Sequence, residues 1–205
     1  MYYPLMIDIG DKLIAVIGGG KVALRKVKKL LEFQGKVRVV SPQLLDEFKE
    51  LKNRFCGKLE IIEDKFKEDY IKDAFLVIGA TDRAEINKDI SNYCRKNNIL
   101  CNIVDDIEFS DFIVPSSIKR GSLVISISTM GKSPSLAAKI KKDLEKAYSE
   151  EYEEYVDLLG EARRLILKNY NDDVEKREML KDIINMPIEE LKRFIENESR
   201  KGHNV

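Results

Sequence analysis

The first half of this 205-residue sequence predicts an α/β fold built on a parallel sheet, and three patterns predict it. Short apolar runs at residues 13–17, 37–40, 59–62, 75–80 and 99–104 alternate with stretches whose apolar residues fall at helical spacing. The first run passes straight into Gly18-Gly19-Gly20, and the glycines pass into a helical pattern. From about residue 149 strand signals stop and only helical spacing remains. Strand–helix alternation gives right-handed βαβ units. The expectation is a Rossmann-type parallel sheet over residues 1–105. A small α+β segment follows over 106–148, and a helical C-terminal region over 149–205.

In chain order, residues 6–9 are an apolar run closed by Gly10-Asp11-Lys12, which predicts a hairpin into the first strand. The first helix rests on Val22, Ala23, Val27, Leu30 and Leu31, with Gly35 placed to cap its end. Residues 37–40 form the second strand, ending at Ser41-Pro42, and Leu44, Leu45, Phe48 and Leu51 mark the next helix. Residues 59–62 are the third strand, followed by a polar connection through Phe66 to Tyr70. The 75–80 run is apolar throughout, as a strand covered on both sheet faces should be. Residues 84–98 carry Ile86, Ile90 and Tyr93 or Cys94 on one helical face, and 99–104 form the fifth strand.

Beyond the fifth strand the pattern changes. Residues 112–115 and 123–128 are strand-like and join through Lys119-Arg120-Gly121 as a hairpin. Ser133 as N-cap and Pro134 at the first helical position open a new helix. Tyr152, Tyr155, Val156, Leu159 and Ile166 mark another, and Leu180, Ile183 and Ile184 one that stops before Pro187. Ile188, Leu191, Phe194 and Ile195 mark the last.

Gly18, Gly20 and Ala23 fit the G-x-G-x-x-G/A spacing of a dinucleotide site. Gly18 permits the sharp turn, Gly20 admits a pyrophosphate against the backbone, and Ala23 lets the helix pack on the strand. Unpaired N–H groups and the positive dipole end at the helix start favour phosphate there. The plainer alternative, a chance glycine cluster, sits poorly with the position between strand and helix. Gly18, Gly19, Gly20, Lys21 and Val22 are therefore the expected phosphate-side contacts. At the end of the second strand, NAD-binding folds commonly carry Asp or Glu and NADP-binding folds often an Arg. This chain has Ser41-Pro42-Gln43. Ser41 and Gln43 can hydrogen-bond a ribose; alternatively Ser41-Pro42 caps the next helix.

Ligands of such sheets sit at the carboxyl ends of the strands, at the switch point. Thr81, Asn102 and Asp105 are thus expected to project toward the crevice. The only histidine, His203, lies in a polar tail, so a carboxylate is the natural acid–base group. Asp105 is the best placed; its ordinary alternative is a cap on the following turn. The helix start at Ser133, with Lys132 beside it, is a second candidate anion site.

Composition narrows the classes. Lys plus Arg number 36 and Asp plus Glu 36, so net charge draws the chain to neither nucleic acid nor an anionic membrane. Three cysteines, Cys56, Cys94 and Cys101, form no C-x-x-C and read as reduced core thiols of a cytoplasmic protein. No long uncharged apolar run predicts a membrane span, and no His/Cys/carboxylate spacing predicts a resident metal.

The blocks Gly18-Gly19-Gly20-Lys21-Val22-Ala23, Ala80-Thr81-Asp82, Cys101-Asn102-Ile103-Val104-Asp105, Phe112-Ile113-Val114-Pro115 and Gly131-Lys132-Ser133-Pro134 occur in that order. Together, over residues 1–148, they resemble the precorrin-2 dehydrogenase family. That family includes the N-terminal part of bacterial siroheme synthase and the yeast bifunctional dehydrogenase–ferrochelatase. The resemblance implies oxidation of precorrin-2 to sirohydrochlorin with NAD as hydride acceptor. In some relatives ferrous iron is then inserted as a second substrate. It also implies a homodimer that exchanges the hairpin and helix after Asp105, and a helical C-terminal region over the cleft. Asp105 matches the family's catalytic aspartate. Asn102, Thr129 and Lys132 are the expected substrate contacts, with Lys119, Arg120 and the amides of Ser133 to Ser135 as further candidates for the macrocycle's carboxylates. Relatives often read Ser-Ser-Gly-Gly where this chain has Ser128-Thr129-Met130-Gly131, so Met130 brings bulk to that turn. A different class, a non-catalytic NAD-sensing module, would be expected to carry an effector element such as a helix-turn-helix, and none is apparent.

Overall fold

A computed structural model describes residues 2–104 and 106–201. It divides into two units, Met1–Val114 and Pro115–Val205.

The first unit runs β1 (Leu13–Ile17), α1 (Lys21–Glu32), β2 (Lys36–Val40), α2 (Glu47–Arg54), β3 (Leu59–Ile62), a 3₁₀ turn (Glu68–Tyr70), β4 (Leu76–Gly79), α3 (Ala84–Lys96) and β5 (Leu100–Ile103). All five strands are parallel, in the order β3-β2-β1-β4-β5. Period-two alternation explains why the strands are apolar on both faces. On one face Ile14, Val16, Val37, Val39, Leu76 and Ile78 pack against Val27 and Leu31 of α1 and Phe48 and Leu51 of α2. On the other, Ala15, Ile17, Val40, Val77, Cys101 and Ile103 pack against Ile90 and Cys94 of α3 and against Ile71 and Ala74.

The second unit begins with an antiparallel hairpin, β6 (Ser116–Arg120) and β7 (Leu123–Ile127). Four helices follow: α4 (Pro134–Ala147), α5 (Tyr152–Asn169), α6 (Asp173–Asp182) and α7 (Ile188–Lys201). Ser133 caps α4, its Oγ accepting from the Leu136 N–H at 3.3 Å. Ala162, Ile166, Ile183, Leu191 and Ile195 form the buried core of this unit.

Five local expectations are corrected. Cys56, in the turn between α2 and β3, is exposed, so only Cys94 and Cys101 are core thiols. Residues 6–9 form no strand; Leu5 and Met6 are exposed, and only Gly10 bridges to Gly35. The helix α2 starts at Glu47, after Leu44 and Leu45. Gly35 is not the left-handed residue that ends α1. Gln34 takes that conformation (φ 66°), while the N–H groups of Gln34 and Gly35 donate to Leu31 and Leu30 carbonyls at 3.0 and 3.1 Å. Gly35 is required for packing instead, since a Cβ there would lie 2.7 Å from Ile14 Cδ1. The first hairpin strand begins at Ser116 and not at residue 112. The Phe112 carbonyl is held by the Asn102 side-chain amide at 2.9 Å.

Candidate dinucleotide and active site

In the observed strand order, β2 lies on one side of β1 and β4 on the other, so the connections after β1 and β4 leave in opposite directions and open a crevice. The resulting cleft, about 690 Å³, is walled by Gly18, Gly19, Gly20, Lys21 and Val22 after β1, Ser41, Pro42 and Gln43 after β2, and Thr81 after β4. Every residue predicted for dinucleotide contact thus meets in one hollow.

The three glycines serve different ends. Gly18 has φ 125°, and a Cβ there would sit 2.3 Å from the Ala80 carbonyl oxygen. A Cβ on Gly19 would meet the Gln43 carbonyl oxygen at 2.0 Å. These two close the turn onto the neighbouring strand ends. It is pinned there by Gly18 N–H on Val40 O (2.9 Å) and Leu45 N–H on Gly19 O (3.2 Å). Gly20 is open: a Cβ there would find nothing within 4 Å. It occupies the N-cap of α1, where no side chain caps the first-turn amides. Space beside a bare backbone and uncapped N–H groups suit a pyrophosphate, so the residues present fit a dinucleotide.

Ser41 is only 7% exposed, and its hydroxyl donates to the Gln43 carbonyl at 2.6 Å. It does not cap α2, whose N-cap is Asp46. Thr81 fixes the turn into α3: its Oγ1 donates to Asn87 Oδ1 at 2.7 Å, and the Asn87 amide donates to the Thr81 carbonyl at 3.0 Å. A second hollow of about 470 Å³, walled by residues including Asn87, Lys88, Ile103 and Phe109, adjoins the first; Val104 lines both.

Asp105, the predicted acid–base residue, lies outside the described residues. The chain on either side of it is firmly held. Asp106 Oδ1 accepts from the N–H groups of Glu108 and Phe109 at 3.1 and 3.3 Å. Ser110 Oγ accepts from Ile103 N–H at 2.9 Å and donates to the Asp106 carbonyl at 2.6 Å. The reading of the sequence missed Ser110, and no spacing rule points to it. Asn102 is buried and its amide nitrogen serves the Phe112 carbonyl.

In the second unit, Thr129 Oγ1 accepts from the Ser133 N–H at 3.0 Å, closing the turn before α4. Met130 and Gly131 both have positive φ, 52° and 79°, which gives a physical reason for glycine in this turn. Lys132 is exposed at the helix start. Arg120 is engaged within its own unit: Nε donates to the Tyr148 carbonyl at 3.1 Å, and Nη1 lies 3.3 Å from Glu150. Among the described residues, no group of three His, Cys, Asp or Glu side chains could hold a metal ion, and no helix is long and apolar enough to cross a membrane.

Comparison with known proteins accounts for most of the chain. Residues 5–116 match an NAD(P)-binding family model, and residues 120–147 match the central region of sirohaem biosynthesis proteins. A precorrin-2 dehydrogenase of Priestia megaterium is 32% identical over 89% of this chain and 89% of its own length. The chain belongs to the precorrin-2 dehydrogenase family. The solved structure of SirC, a precorrin-2 dehydrogenase, aligns with TM-score 0.79 and 29% identity, covering 97% of this chain and all of that one. The siroheme synthase of Ruthia magnifica subsp. Calyptogena magnifica is 33% identical over 86% of this chain, which spans only 37% of that relative's length.

Proposed function

We propose that this chain oxidises precorrin-2 to sirohydrochlorin, in siroheme biosynthesis, with NAD as the acceptor. The observation that carries the reading is the open Gly20 at the uncapped start of α1, in a chain that spans nearly the whole of a precorrin-2 dehydrogenase. NAD, when bound, supplies the carbon that accepts hydride. Gly18, Gly19, Gly20, Lys21 and Val22 hold the pyrophosphate side, and Ser41, Pro42, Gln43 and Thr81 shape the remaining wall. Removal of two hydrogens from the macrocycle releases one hydride and one proton, and Asp105 is the group that takes the proton. Val104, the residue before it in sequence, lines both hollows, which supports that role.

Thr129 and Lys132 are the substrate contacts, Lys132 through carboxylates on the macrocycle. Asn102 acts by holding the Phe112 carbonyl and so the segment after Asp105. Residues 106–148 form the dimerisation segment of a cytoplasmic homodimer; insertion of ferrous iron is a separate step that the same assay decides. An anaerobic assay tests the reading. NAD plus precorrin-2 should give sirohydrochlorin and NADH in equal amounts, and ferrous iron added to the same reaction reads chelation separately, as siroheme formed or not. Protein that binds NAD but leaves precorrin-2 unchanged would sink the dehydrogenase reading; sirohydrochlorin that accumulates beside free iron would sink the chelatase step alone.

A further inference from the structure

We infer that Lys65 makes this cleft accept a 2′-phosphorylated dinucleotide, NADP, on a par with NAD. The inference rests on the reading of the cleft as a dinucleotide site. In folds of this topology the adenosine ribose lies at the carboxyl end of β2, where an acidic side chain holds its 2′-hydroxyl and repels a 2′-phosphate. Here that strand end offers no carboxylate. Ser41 is buried with its hydroxyl on the Gln43 carbonyl, and Pro42 and Gln43 complete the wall.

Lys65 lines the same cleft from the loop after β3. Because β3 neighbours β2 on the side away from β1, this cation stands on the ribose side of the crevice. The adjacent Asp64 does not line the cleft; its carboxylate is engaged by the Tyr70 hydroxyl at 2.6 Å, by Lys67 and by the Lys65 backbone N–H at 2.7 Å. Glu63 is exposed and does not line the cleft. Among the described cleft residues the one carboxylate is Asp82, which follows β4 on the far side of β1. A doubly charged 2′-phosphate would therefore meet a lysine and no opposing charge, an arrangement that favours it.

Calorimetric titration of the full chain with NAD and with NADP tests this. The wild type should bind the two within about threefold of each other. Lys65→Gln should shift the ratio of dissociation constants toward NAD by about tenfold, the usual scale of one charge-assisted contact. Gln43→Glu, which restores an acid after β2, should shift it the same way. A wild type that disfavours NADP by more than about a hundredfold would overturn the inference and leave the NAD reading standing, as would an unchanged ratio in Lys65→Gln. Failure to bind either nucleotide would instead bring down the dinucleotide reading itself.

Discussion

Lys201 Nζ lies 2.6 Å from Oε1 of Glu198, a carboxylate that is only 3% exposed on α7. The same carboxylate accepts from Asn169 Nδ2 at 3.2 Å and from the Tyr170 hydroxyl at 3.0 Å, tying α7 to the end of α5. Burial alone would raise the Glu198 pKa, but the hydrogen bonds from Lys201, Asn169 and Tyr170 outweigh it and hold it below the ordinary glutamate value. The Lys201 ammonium is raised in turn, chiefly by Glu198.

The sign of the pH dependence follows. A depressed carboxylate stabilises the helical unit fully above the ordinary glutamate range and loses that contribution as pH falls through its folded pKa. A raised ammonium contributes fully below the ordinary lysine range and loses its contribution as pH rises through its own folded pKa. Chemical denaturation of the wild type should therefore show the α5–α7 helices weakening at acid pH. Glu198→Gln should flatten that acid limb, and Glu198→Ala should cost roughly 2 kcal/mol at neutral pH, since it strands the Tyr170 hydroxyl donor, while Asn169 keeps its bond to the residue-198 carbonyl at 2.8 Å. An acid limb unchanged in Glu198→Gln would assign it to other groups.

The glycine turn separates binding from stability. Gly20→Leu places a side chain in open space at the helix start, so the melting temperature should stay within about 3 °C of wild type. NAD affinity should fall at least about tenfold, because the new side chain occupies the pyrophosphate's approach. Gly18→Ala should behave oppositely in the melt. Its φ of 125° and the Ala80 carbonyl 2.3 Å from the new Cβ force the backbone to move, at a cost of about 3 kcal/mol. Thermal melts paired with NAD titration distinguish the two, and a Gly20→Leu protein with undiminished NAD affinity would refute the assignment of this face.

Arg38 in the middle of β2 is a structural keystone. Its guanidinium lies 2.7 Å from Glu60 on β3 and 2.6 Å from Asp73, and also donates to the Tyr70 carbonyl at 3.1 Å. The side chain is 17% exposed, so the contacts are partly screened. Arg38→Met keeps the stem and removes the charge, and should destabilise the first unit by about 2 kcal/mol. A midpoint in denaturant indistinguishable from wild type would show that the three contacts contribute nothing net.

The sheet was legible because strands buried on both faces must be apolar throughout, and β1 and β4 are. The cleft residues were legible because glycine at Gly18 and Gly19 answers a steric demand that no other residue meets. Arg38 was not: within the pattern of β2 it reads as one polar interruption, and its partners come from positions 60 to 73, brought near only by the parallel register. Asn102 shows the complementary failure. Its place at the end of β5 pointed toward the crevice, but a short polar side chain there can turn either way, and the unsatisfied Phe112 carbonyl draws it to the chain after β5. Residues 6–9 carried a strand pattern without a partner strand, which a local reading cannot detect.

Asp105 provides the sharpest test of the chemistry. The backbone before and after it is fixed by Ser110 and by Asp106, so Asp105→Asn should leave the fold and the glycine turn intact. NAD affinity should remain within about threefold of wild type, since the cleft walls that contact the dinucleotide do not change. Turnover of precorrin-2 should fall by about 10² to 10⁴, the range typical for loss of a proton-transfer group. A variant that keeps full turnover would move the proton acceptor to another group. Among the described residues, the carboxylates that line the hollows are Asp82 in the first and Glu85 and Asp106 in the second. Asp106 Oδ1 is already engaged by two backbone N–H groups, so Asp82 or Glu85 would be the next residue to replace.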